Sequence, residues 1–138
     1  MTGEIVIDTS ALCAILLAEP EADALMELLV ASSLRWLSAF SHLETSVVIA
    51  ARKGQAGLLD FDALLQRLRI EVIPFTAEQA QLARDGYLRF GKGHHPAGLN
   101  LGDCCSYALS RYSGYPLLFK GQDFSRTDVR APHEQAAR

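Results

Sequence analysis

Four carboxylates, Asp8, Glu44, Asp103 and Asp123, carry the chemistry that this sequence offers. Asp8 closes an apolar, β-branched run, Asp103 opens a helical one, and Glu44 and Asp123 each follow shortly after a strand-like segment. In an open α/β sheet the ligand crevice lies beyond the carboxyl ends of the strands, so one rim would gather these acids. Like charges on one rim repel unless something positive sits among them, and a divalent cation is the natural answer. Mg2+, with Mn2+ as the alternative, favours carboxylate and water oxygens and bridges readily to phosphate. One or two such ions, typically about 3.5–4 Å apart when paired, orient and deprotonate a water, hold a phosphate and stabilise the leaving oxygen. The chemistry implied is phosphodiester hydrolysis, with no serine or cysteine nucleophile required.

Each acid also has a plainer role open to it. Asp8 could cap the helix that follows, although Thr9 and Ser10 are read as supplying that cap. Glu44 stands three residues after Ser41, the spacing of a capping box, which would place it in a helix's first turn. Asp103 could simply complement a helix dipole, and Asp123 and Asp128 could be ordinary loop acids. The adjacent His94 and His95 lack the i, i+4 spacing of a helical zinc site; with Lys92 they make a polar loop able to touch RNA phosphate or to remain merely solvated. Arg52 and Lys53 end a helix, where cations are favoured in any case, and Tyr87, Phe90 and Tyr107 read as core.

The elements that must position these residues alternate. Strands are expected at "EIVID", "RWLSA", "IEVIPF" and "YPLLFK", with a further short strand near Val129. Between them lie helices over "TSALCAILL", "EPEADALMELLVAS", "FSHLETSVVIAARKG" ended by Gly54, "LLDFDALLQRLR", "TAEQAQLARDGYLRFG" capped by Thr76, and "GDCCSYALSRYSG" ended by Gly114. Such alternation predicts an α/β fold, a central and mostly parallel sheet with helices on both faces.

The 138 residues suffice for one domain, since a chain of this size buries roughly 68–70% of its unfolded surface. No apolar run approaches the ~20 residues that span a bilayer, and the start "MTGEIVIDTS" lacks signal-peptide features, so a cytoplasmic protein with no membrane partner is expected. Cys13, Cys104 and Cys105, two of them adjacent, suit neither a disulfide framework nor a CxxC site and read as small buried hydrophobes. With a formal net charge of −3, nucleic-acid binding would rest on a local patch or on bridging metal ions.

The blocks "IVIDTSALCAILLAEPEA", "SAFSHLETSVVI" and "GLNLGDCCSYALSRYSGYPLLFKGQDFSRTD" resemble, in order, the PIN-domain toxins of VapC type. The resemblance implies a single PIN domain over residues 1–130 with a polar tail at 131–138. It also implies a Mg2+- or Mn2+-dependent endoribonuclease, the toxin of a type II toxin-antitoxin system. Such toxins cut RNA, often tRNA or rRNA, and a VapB-type antitoxin holds them inactive; a homodimer is expected too. Asp8, Glu44 and Asp103 match three family acids as metal ligands. The family's fourth acid commonly follows a threonine by two residues at the end of the fourth strand, where "LLFKGQDF" has Gly121; Asp123 is the substitute, with Asp128 second. That departure keeps open a catalytically weak PIN scaffold that binds RNA or a protein.

Rival α/β readings fit poorly. A receiver-like phosphorelay domain needs adjacent early acids and an aspartate after its third strand, where "VIPFTAE" has none at the strand tip. An aspartyl-nucleophile phosphatase needs a second aspartate where Ser10 stands.

Overall fold

The computed structural model describes residues 2–132. Its elements run β1 (Thr2–Ile7), α1 (Thr9–Leu16), α2 (Ala22–Ala31), β2 (Ser32–Ser38), α3 (Ala39–Arg67), β3 (Glu71–Ile73), α4 (Ala77–Phe90), α5 (Leu101–Ser113), β4 (Leu117–Leu118) and a 3-10 turn at Phe124–Arg126. The four strands form one sheet in the order β3-β2-β1-β4, every pair parallel. Parallel strands need crossovers, and the helices between them supply these and cover the sheet.

Alternation along β1 divides the core. Ile5 and Ile7 join Leu37 and Leu118 beneath α1, α2 and α3, while Val6 joins Leu117 and Phe119 beneath α4 and α5. The middle strand is therefore apolar on both sides, which is why "IVI" reads as a continuous run. β2 and β3 lie to one side of β1 and β4 to the other, so the strand order reverses at β1/β4. A crevice opens outside the strand ends at such a reversal. The Asp8 N–H donates to Leu118 O at 2.9 Å, and the Lys120 N–H donates to Ser10 Oγ at 3.0 Å, fixing the two strand ends together there.

Several local expectations are corrected. Asp8 itself, not Thr9 or Ser10, caps α1. Ser38 caps α3, so Ser41 is buried inside that helix and Glu44 stands in its second turn rather than in a capping box. The apolar "AF" after Ser38 is absorbed into the first turn, which moves the start three residues upstream. No strand forms near Val129; the segment meets β4 through one backbone bond, Leu117 N–H to Arg130 O at 2.8 Å. Gly54, at φ +61°, separates two helical runs within α3, and Gly114, at φ +78°, ends α5. Both glycines take conformations that other residues avoid. Most of the 131–138 tail lies outside the described residues. Among the described residues no helix is long and apolar enough to cross a membrane.

Candidate active site

Asp8 leaves β1 at the strand reversal and is almost wholly buried, 2% exposed. Its Oδ2 accepts the Ser10 N–H at 3.0 Å, a bond set by the cap geometry of α1. Oδ1 is buried and has no hydrogen-bond partner among the described residues. The Ser106 hydroxyl acts on Asp8 to favour the charged form and also shares a hydrogen bond with Ser41 Oγ, 3.1 Å away, in which either oxygen can donate. Burial dominates and raises the Asp8 pKa.

Glu44 comes to the same rim from α3. Its Oε1 accepts the Thr9 hydroxyl at 2.7 Å, so the residue after Asp8 orients the second acid. Burial, then the charge of Asp8, push Glu44 up, while the Thr9 bond works against them. Asp103 arrives from the first turn of α5. There Asn100 Oδ1 accepts the Asp103 N–H at 2.8 Å and Asp103 Oδ2 accepts the Asn100 N–H at 3.1 Å, a reciprocal capping box. Burial and the nearby charges of Asp8, Asp123 and Glu44 nevertheless push Asp103 from an ordinary 3.8 to about 7.

Three elements thus deliver three carboxylates that feel one another's charge, and each has one oxygen tied by a hydrogen bond and a second that is not. Among the described residues no three His, Cys, Asp or Glu side chains stand ready to enclose a metal ion. Glu44 leans on Thr9 and Asp103 on its own helix start, which accounts for the open arrangement. The donor set is all oxygen, and a buried orphan oxygen on Asp8 is the kind of group that a hard cation satisfies. The residues present therefore fit a hard divalent cation better than zinc, whose structural sites favour nitrogen and sulfur.

The remaining candidates divide. Asp123 is exposed in the turn after Gly121 and caps nothing with its side chain, but its charge reaches Asp103. Asp128 is turned away: it accepts from Arg111 Nη1 at 2.6 Å, Arg89 Nη2 at 3.2 Å and the Tyr107 hydroxyl at 2.9 Å. His94 packs edge-on against Tyr87 and His95 against Phe90, and His95 Nδ1 accepts the Ala97 N–H at 3.0 Å, so both hold the 91–99 loop. Tyr107 is core, while Tyr87 is substantially exposed. Cys104 and Cys105 are buried and Cys13 is half-buried; all three are free thiols pushed up to about 11 or 12, chiefly by burial. Sequence reasoning missed Thr9 as the support of Glu44, the Ser41–Ser106 pair beneath Asp8 and Asn100 as the cap of α5. Only the Asn100–Asp103 spacing gave a signal that local rules can read.

The PIN domain family model matches residues 5–130. A ribonuclease VapC of Mycolicibacterium smegmatis is 50% identical over 128 residues, which cover 93% of this chain and 99% of that one. Ribonuclease VapC30 of Mycobacterium tuberculosis is 48% identical, over 90% of this chain and 95% of its own. Among solved structures, M. tuberculosis VapC20, described as a Sarcin-Ricin loop cleaving toxin, superposes with a TM-score of 0.75 at 20% identity, covering 91% of this chain and 95% of that one. VapBC2 of Rickettsia felis, bound to a promoter DNA fragment, gives 0.71 at 15% identity, covering 93% and 96%. Residues matched from the first strand to the segment beyond β4, at identities near one half, are a family relationship: the chain belongs to the PIN-domain family and, within it, to the VapC ribonucleases.

Proposed function

We propose that this protein is a divalent-metal-dependent endoribonuclease, the toxin of a type II toxin-antitoxin pair, with Asp8, Glu44 and Asp103 as the residues that hold Mg2+ or Mn2+. The observation that carries the proposal is the set of spare oxygens at the β1/β4 reversal, above all the buried, partnerless Oδ1 of Asp8. When bound, the ion supplies charge neutralisation at the scissile phosphate and a lowered pKa for the attacking water. The chain's own contribution is placement. Thr9 fixes the Glu44 carboxylate, the α1 N-terminus fixes Asp8, and the capping box fixes Asp103. Carboxylates already held by one oxygen lose little freedom when the other turns to an ion, so only the open rim has to close around it. Asp123, exposed in the turn after Gly121, would add its charge to the acidic rim from the solvent side, as its effect on Asp103 indicates.

The substrate proposed is ribosomal or transfer RNA, and the inhibitory partner a VapB-type antitoxin, supported by the likeness of the fold to the VapBC structures of Rickettsia felis and Salmonella typhimurium. Leu101, Leu43 and Val47, 71%, 60% and 61% exposed on α5 and α3, are the apolar surface proposed for a homodimer, to be read from sedimentation of the purified chain.

The test is incubation of antitoxin-free protein with total RNA, with and without Mg2+ or Mn2+, beside Asp103→Asn. Cuts at defined positions that require the ion and vanish in the variant are expected, and mapping their ends identifies the RNA. A folded, metal-loaded protein that cuts nothing in that pool would instead point to a scaffold that binds RNA or protein without cleavage.

A further inference from the structure

Gly102 sits in the first turn of α5 with a helical backbone and no positive φ, so nothing in its own conformation calls for glycine. Alanine is the stronger helix former at such a position. What the position cannot take is a Cβ. An atom built there would stand 2.5 and 2.6 Å from Oε1 and Cδ of Glu44, and closer still to Oε2. Real Cβ contacts of that length essentially do not occur. The neighbour is the far end of a flexible side chain rather than backbone, so an added methyl would move the carboxylate and leave the helix in place. The Glu44 carboxylate is held from the other side by the Thr9 hydroxyl at 2.7 Å.

We infer that Gly102 is a positioning residue: its missing Cβ makes the space in which the Glu44 carboxylate seats against Thr9 at the metal-binding rim. The inference rests on the proposed metal site. It gives the glycine beside Asp103 a role in the placement of Glu44, a residue fifty-eight positions earlier in the chain. A side chain that acts through another must show its effect through that other, which fixes the form of the experiment.

Mn2+ binding by calorimetry and thermal unfolding in EDTA are measured for the wild type, Gly102→Ala, Glu44→Ala and the double variant. Gly102→Ala is expected to unfold in EDTA at the wild-type temperature or above it, while binding Mn2+ about 10- to 100-fold more weakly, the range typical when a residue that orients a ligand is changed. In the Glu44→Ala background the same glycine change is expected to alter Mn2+ affinity by less than about twofold, because the carboxylate it displaces is gone. Equal losses in both backgrounds would overturn the inference, as would unchanged affinity in Gly102→Ala or a lowered unfolding temperature. A folded wild type that takes up no Mn2+ would overturn the metal site itself and this inference with it, an outcome distinct from the other three.

Discussion

Asp103 sits where two demands oppose each other. The start of α5 favours a carboxylate, yet burial and three neighbouring acids push its pKa from 3.8 to about 7. Without a cation the folded chain therefore binds more protons than the unfolded chain between those values. Stability from this residue is fully present below about pH 4 and is lost as the pH rises through about 7. Asp8 and Glu44 are raised as well and act in the same direction. Asp103→Asn keeps an oxygen to accept the Asn100 N–H but carries no charge. Urea melts in EDTA should find the variant more stable than the wild type at pH 8, with the gap closing toward pH 4, and inactive throughout; parallel curves would remove the electrostatic account. Asp8 and Asp103 were legible in the sequence because a strand end and a helix start are local features. The seat of Glu44 was not, because Thr9 and Gly102 meet it only after α1, α3 and α5 have packed.

At the scale of elements, the terminal segment beyond β4 is fastened by Asp128, which gathers Arg89 of α4 and Arg111 and Tyr107 of α5. Burial tends to raise Asp128, but Tyr107 and the two arginines outweigh it and hold the carboxyl below its usual range. Its charge is thus spent on architecture, while Asp123 keeps its charge toward the rim. Asp128→Ala should cost about 1 kcal/mol or less, since the side chain is more than a third exposed and such pairs are screened. Mn2+ affinity should be unchanged; a folded Asp128→Ala that no longer binds the ion would return this residue to the list of metal-site acids. Punctuation at Gly54, Thr76 and Gly114 could be read in advance because each acts on its own turn of backbone. The start of α3 could not: Ser38 and Ser41 are both competent caps, and the burial of Ser41 against Ser106 of α5 chose between them. The absent strand at Val129 has a similar cause, since a tail held by ion pairs needs only one backbone bond to β4.

For the whole molecule, the alternation of strands and helices foretold a parallel sheet, because parallel neighbours require crossovers and crossovers here are helical. The reversal of strand order at β1 then confines the acids to one end of the sheet, leaving a net-negative protein with its least stable charges at the site proposed for RNA. A bound cation relieves both problems, which couples loading of the site to stability of the fold. A ligand that binds only the folded state at a hundred times its dissociation constant adds about 2.7 kcal/mol. For a chain of this length that corresponds to a rise of roughly 10 °C in unfolding temperature. Scanning calorimetry at pH 7.5 across a Mn2+ series should show that rise in the wild type and little of it in an Asp8→Asn, Asp103→Asn double variant, whose unfolding temperature in EDTA should already be the higher of the two. A rise of equal size in both proteins would mean that the ion stabilises the fold from somewhere other than the β1/β4 rim.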